Sequence, residues 1–237
     1  MKMYINSFKI FLRQIWKDKM LLMVLFAPFL AGVAFKFGIP FLEKFLTETF
    51  NKDMIIAPYY LLFDLFLSVM VPYLICFVSA LVMLTETDEN VSIYMAVTPL
   101  SKGGYLISRL VVPAIISYPV TMIILALFSL TNQGILFYLI APFLNCLLSV
   151  IVALLITAVS TNKVEGLALG KGAGIIMLGL PVPFFISSSA RYLFVFLPSF
   201  WTAEFALSGN ILPVLPALLL SMGMIWLLSK KFIKKLF

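Results

Sequence analysis

The sequence predicts an all-α, polytopic integral membrane protein with six transmembrane helices, preceded by an amphipathic helix in the membrane interface. Three observations predict it. Hydrophobic residues fill 63% of the 237 positions and charged residues only 11%, against roughly 25% charged in soluble domains. Six apolar runs, at 20–42, 59–84, 107–130, 135–159, 173–195 and 211–229, each approach the ~20 residues a helix needs to cross the hydrocarbon core. Lys and Arg also collect on alternate connections, which orients the chain.

The elements follow in order. In residues 1–19, Tyr4, Phe8, Phe11, Leu12 and Ile15 recur at helical spacing, with Lys2, Lys9, Arg13 and Lys17 mostly elsewhere around the helix. That is the pattern of a helix lying in the inner interface. Residues 20–237 form the six-span domain. Its first run is too long for a signal-peptide core, so it is expected to be retained. With both termini cytoplasmic, the outer side carries only Lys36, Lys44, Lys52 and Arg191. All other Lys and Arg lie inside, as a cytoplasmic membrane protein requires. The net charge of +7 therefore belongs to lipid-facing flanks and not to nucleic-acid binding. Glu43 to Pro58 reads as a charged outer loop and Thr131 to Gly134 as a tight turn. The outer stretch 187–210 is too apolar to lie in water. It reads as a re-entrant or interfacial segment broken at Pro198, since irregular backbone at membrane depth persists only under a protein cover. Gly179-Leu180-Pro181-Val182-Pro183 should bend or break the fifth span.

Polar chemistry is sparse. Histidine is absent, which removes Ser-His-Asp, Cys-His and His-metal arrangements together. Cys76 and Cys146 sit in apolar runs and read as small buried residues. No catalytic or metal site is predicted. The second cytoplasmic loop, 160–172, carries Lys163, Glu165 and Lys171 among glycines. It fails as a phosphate-binding loop, because Gly166 is one residue too close to Gly170-Lys171 and Gly172 replaces the Ser or Thr. Lys36 and Asp64 lie at similar depth near the outer ends of the first two spans. They form a charged pair at an outer mouth, or Lys36 snorkels and Asp64 faces loop water. Arg191 and Glu204 flank the outer segment and tether its halves or gate it.

The most informative stretch is the first cytoplasmic loop, 85–106. Glu86, Asp88 and Glu89 close the second span. Asp88 to Val97, with Tyr94, can form a short surface helix that Thr98-Pro99-Leu100-Ser101 stops, because proline disfavours helix in the residue before it. Gly103-Gly104 lets the chain turn back and Arg109 starts the return span at the lipid headgroups. This loop resembles the ABC-2-type membrane family, the permease subunits of ATP-binding-cassette exporters, in its acidic stretch followed by a T-P-L-S element. It departs from the family in having Asn90 and Val91 where a glycine is usual. The run Asn162-Lys163-Val164-Glu165-Gly166 resembles a loop of small bacterial members. The six-span layout and the apolar segment before the last span extend the likeness over nearly the whole chain.

The resemblance implies an ABC-2-type exporter fold and a division of labour. Two permeases pair, as copies or as sisters, and each docks a cytoplasmic ATPase that binds the ATP and Mg; this chain binds neither. The helix at about 88–98 acts as the coupling helix, with Glu86, Asp88, Glu89, Tyr94, Thr98, Pro99, Leu100 and Ser101 facing the motor. A midplane nearly free of charge suits an amphipathic or apolar cargo, whether drug, peptide or lipid-like. It also argues against the two rival classes: ion-coupled secondary transport, which uses midplane carboxylates, and intramembrane enzymes, which need converging polar groups. A non-transporting protein that keeps the fold is the remaining alternative.

Overall fold

A computed structural model describes residues 2–97 and 101–236. Among them the ordered elements are all helical. Helix α1 (Lys2–Lys17) buries Phe11 and Ile15 and exposes Lys9, Arg13 and Trp16. Its apolar face packs with Leu21, Val78, Leu81 and Val82. Asp18 ends α1 and caps α2 (Lys19–Val33), its carboxylate accepting from the Met20 and Leu21 amides at 3.0 and 3.3 Å. A side chain there satisfies donors that a helix N-terminus leaves open.

Among the described residues, five helical stretches are long and apolar enough to cross a membrane: Lys19–Phe50, Ala57–Asp88, Ser101–Phe128, Ile135–Val159 and Val214–Lys235. The first runs through α2, a π turn at Ala34–Gly38 and α3 (Ile39–Phe50). The outer loop expected from Glu43 is thus helix as far as Phe50. Its charges belong to an amphipathic turn, and Glu43 reaches back to accept from the Ile55 and Ile56 amides. The second is α4 (Tyr60–Asp88), followed by the short α5 (Val91–Val97). The third is α6 (Ser101–Leu106), a π turn at Ile107–Val111 and α7 (Val112–Phe128). The fourth is α8 (Ile135–Val159). The last is α12 (Val214–Leu236), numbered after three shorter helices. Both π turns precede a proline, Pro40 or Pro113, which has no N–H for the carbonyl four residues back. At Pro113 that carbonyl belongs to Arg109, and the Ser79 hydroxyl of α4 donates to it instead.

The expected span at 173–195 is not one helix. The stretch read as a loop at 160–172 holds α9 (Lys163–Ala173). A 3-10 stretch (Gly174–Gly179), α10 (Val182–Phe185), a 3-10 stretch (Ser189–Phe194) and α11 (Pro198–Ser208) follow. From Lys163 to Phe185 this chain nevertheless runs antiparallel along all of α4. The Lys163 amide donates to Asp88 at 3.2 Å, Gly166 lies on Leu84, the Tyr73 hydroxyl donates to the Gly170 carbonyl at 2.8 Å, and Phe185 stacks on Tyr59 at 4.9 Å. A Cβ at Gly166 or Gly170 would overlap Leu84 or the Phe77 ring, so these glycines permit the close approach. Helix α11 then starts deep. Ser199 donates to the Ile176 carbonyl at 2.6 Å, and Phe200 is buried. It ends at Gly209 in the left-handed region, φ 64°. Helices α4 and α8 form the centre, and the other spans pack around them.

Candidate functional site

The candidate site is the basic end of the bundle, where the first loop meets the spans. Asn90 turns the chain there with φ 58°. Asn is among the few residues besides Gly that adopt this conformation readily. The position where the resembled family usually has glycine thus keeps a left-handed backbone, and the chain passes there from α4 to α5.

Below that turn lies a buried ionic joint. Glu86 and Arg109 are both fully buried and meet at 2.7 Å. Glu86 also accepts from the Arg109 Nε at 3.0 Å and from the Tyr105 hydroxyl at 3.0 Å. The Arg109 Nη1 donates to the Ser7 carbonyl and hydroxyl at 2.9 and 3.0 Å, and its Nη2 reaches the Met95 sulfur at 3.7 Å. The guanidinium lies 5.4 Å from the Phe11 ring and 5.8 Å from the Tyr105 ring. One side chain thus binds α1, α4, α5 and α6 together. Arg suits the task, since its planar fork offers five donors and stacks on aromatic faces.

This corrects two expectations. Glu86 is not on a docking surface, because its carboxylate holds the joint from inside. Arg109 does not end at the headgroups; it turns inward. Sequence reasoning missed Tyr105 and Ser7 altogether. The signal for Tyr105 was its place one helical turn before an ionisable residue at the edge of an apolar run, where a charge must find partners. Ser7 carried no such signal.

The other predicted coupling residues that the structure describes face outward. Asp88 and Glu89 are exposed, and Tyr94 on α5 is 70% exposed. Thr98, Pro99 and Leu100 lie outside the described residues. Ser101 is exposed and starts α6 with φ 60°; its hydroxyl accepts from the Gly104 amide at 3.4 Å.

The two loops are also joined to each other. Besides the Asp88 bond to its amide, Lys163 pairs with Asp18 at 2.8 Å. That hydrogen bond holds the Asp18 carboxyl below its ordinary value. Glu165 reaches back to the Thr161 amide and hydroxyl at 2.5 and 2.7 Å. Lys235 of α12 donates to the Thr157 carbonyl at 2.8 Å and to the Ser160 carbonyl, satisfying the open end of α8. Lys171 stands exposed in the last turn of α9.

At the opposite end, Lys36 and Asp64 do not form a direct ion pair. They grip the same corner from two sides. Lys36 donates to the Leu127 carbonyl at 2.7 Å. Asp64, 1% exposed, accepts from the Leu130 and Thr131 amides at 2.8 and 2.9 Å and from the Thr131 hydroxyl at 2.5 Å. The cation on the carbonyl end of α7 matches the helix dipole, while the anion is held by the loop amides beyond it. Asp64→Ala strips three donors of their acceptor and should cost about 1–3 kcal/mol or more, read as a lower melting temperature in detergent. Asp64→Asn, which keeps one acceptor oxygen, should fall between. A loss of transport by the Asn variant at unchanged melting temperature would instead make Asp64 a gate. Arg191 and Glu204 lie 3.3 Å apart and link the second 3-10 stretch to α11.

A family model described as "Rv2686c-like: Fluoroquinolones export permease protein Rv2686c-like" matches residues 11–230. Two curated proteins of Mycobacterium tuberculosis are 28% identical over 198 residues, covering 81% of this chain and 77% of theirs. They are the fluoroquinolones export permease proteins MT2760, of strain CDC 1551 / Oshkosh, and Rv2686c, of strain ATCC 25618 / H37Rv. No solved structure matches the chain.

Proposed function

Because the chain belongs to the Rv2686c-like family of fluoroquinolones export permease proteins, and is thus a permease of the ABC-2 type, we propose that it is the membrane half of an ATP-driven exporter. In this reading the basic end is cytoplasmic and α5 is the coupling helix, docked on a separate ATPase that binds ATP and Mg. A second permease, copy or sister, completes the pathway. The segment Lys163–Phe185 serves as the sixth crossing, broken at Gly179 to Pro183, and 187–210 folds back into the outer half. The cargo is amphipathic and aromatic. The names of the relatives point to a fluoroquinolone, a fused aromatic ring with polar ends, and the apolar bundle suits such a molecule.

The observation that carries the reading is the Glu86–Arg109 joint. A solvated connector needs no buried ion pair, which is costly to desolvate. A lever that must pass force from a surface helix to several spans needs a stiff attachment. Here α5 is fastened to α1, α4 and α6 at one point.

Purification from the native host in mild detergent tests it. A stoichiometric ATPase should co-elute. Glu89→Lys with Tyr94→Ala, both on the exposed face, should release that ATPase or uncouple its turnover while leaving the melting temperature of the permease unchanged. Absence of any ATPase from the wild-type preparation would sink the motor-driven reading and bring ion-coupled transport forward.

A further inference from the structure

Helices α7 and α12 both pack on α8 and diverge from one another. Between them, over α8, lies a crevice of about 480 Å³. Ala114 and Val150 form its buried floor, and Ile115, Phe143 and Val111 its exposed lips. Ile225 of α12 closes the third side. The crevice opens on the outside of the bundle, where lipid lies.

Its polar atoms are already committed. The Tyr118 hydroxyl donates to the Leu139 carbonyl at 3.1 Å, and the Cys146 sulfur meets the Ser117 hydroxyl at 3.3 Å. A ligand in the crevice is offered no free donor, only the lone pairs of the Tyr118 oxygen. A molecule with a carboxylate would leave that group unpaired at membrane depth, at a cost of several kcal/mol. A hydrocarbon chain has nothing to leave unpaired.

One helical turn further along α12 the surface becomes basic. Lys230 lies 3.6 Å from the centre of the Trp226 ring, and Lys230 and Lys231 are both exposed. Five residues of helix separate Ile225 from Lys230, a rise of about 7.5 Å and a rotation of about 140°, so Lys230 lies over the outer shoulder of α12, within the length of a phospholipid. An aromatic ring with a basic residue at its edge is the usual furniture of a headgroup level.

We propose that this crevice is a binding site for one anionic phospholipid, its acyl chain lying between α7 and α12 and its headgroup on Lys230 and Lys231. The site needs only the membrane-spanning bundle; that the lipid belongs to the inner leaflet rests on the orientation proposed above. It stands apart from any cargo path, because its lining selects hydrocarbon.

The test uses the full chain in bilayer nanodiscs with Trp16 and Trp201 replaced by Phe, so that Trp226 alone reports. The probes are phosphatidylglycerol and phosphatidylcholine carrying the same brominated acyl chains. Brominated phosphatidylglycerol should half-quench Trp226 at about fivefold lower mole fraction than phosphatidylcholine. Lys230→Gln with Lys231→Gln should remove that preference, and Ala114→Phe should reduce quenching by the anionic lipid. If Ala114→Phe does not fold, Val111→Phe at the exposed lip blocks the mouth instead. Equal quenching by both lipids, unchanged by the Phe variants, would mean ordinary bilayer contact and overturn the site. Displacement of brominated phosphatidylglycerol by a fluoroquinolone would overturn it too, making the crevice a cargo site. No ATPase is present in this assay, so neither result bears on the motor-driven reading.

Discussion

Glu86→Gln is expected to destabilise the permease by about 3–5 kcal/mol and to abolish export. Removing one member of a buried ion pair leaves the other charge uncompensated, which is where a cost of that size arises. Here the stranded charge is Arg109, held at 0% exposure among Phe11, Tyr105 and Met95. Arg109→Lys should fare little better, since an ammonium cannot reach Glu86 and Ser7 together with the same fork. The informative variant is the double replacement Glu86→Met, Arg109→Met. Apolar side chains of similar volume often match or exceed the stability of a buried pair, so the melting temperature should recover. If the joint transmits force, export and substrate-stimulated ATP turnover should stay low in the recovered protein. Export restored along with stability would reduce the joint to a structural pair.

Gly179→Ala is expected to lower stability by about 1–3 kcal/mol through overpacking and to loosen α11. The added methyl would meet the Phe200 backbone, with the amide nitrogen at 2.5 Å and Cα at 3.1 Å, and the Ser199 hydroxyl. Backbone inside a packed helix cannot swing aside as a side chain can. Because Ser199 anchors α11 to the Ile176 carbonyl, the clash falls on the contact that holds α11 in place. Faster proteolysis between residues 187 and 197, at a lower melting temperature, would report it. Gly172→Ala is the control. Nothing lies within 4 Å of its Cβ, and in α9 the change should be neutral or stabilise by about 0.5–1 kcal/mol. Equal effects at the two glycines would show that the close approach at Gly179 has no energetic weight.

Most of the spans were legible because length and hydropathy are properties of a linear chain. The runs at 59–84, 107–130, 135–159 and 211–229 lie in helical stretches at 57–88, 101–128, 135–159 and 214–235, shifted by a few residues at most ends. What an apolar run does not encode is continuity. Residues 173–195 are apolar throughout, yet Gly174, Gly179, Pro181 and Pro183 interrupt the hydrogen-bond ladder, and the chain crosses α4 as short pieces. The opposite error arose at Glu43, Lys44 and Glu48. These charges mimic a loop in one dimension but share one side of α3 in three. The joint was half legible. Glu86 stood out as an acidic residue at the end of a span, but its inward turn depends on Ser7, 102 residues from Arg109, and no local pattern marks a contact so distant. The same holds for Lys36 and Asp64. Their shared depth was readable, whereas the α7–α8 corner between them was not.

The first membrane helix has a consequence for the bilayer itself. Its 32 residues, Lys19 to Phe50, extend about 48 Å at 1.5 Å per residue, against a hydrocarbon core of about 30 Å. Even a tilt of ~40°, the upper end of the usual range, projects it to about 37 Å. Its far end carries Glu43, Lys44 and Glu48 beside the exposed rings of Phe41 and Phe45, 70% and 57% exposed, so the excess is an amphipathic turn suited to the interface and not a soluble stalk. A tilt or a bend at the π turn 34–38 sets whether that turn reaches the headgroup layer, and membrane thickness becomes a variable to which this molecule is mechanically coupled.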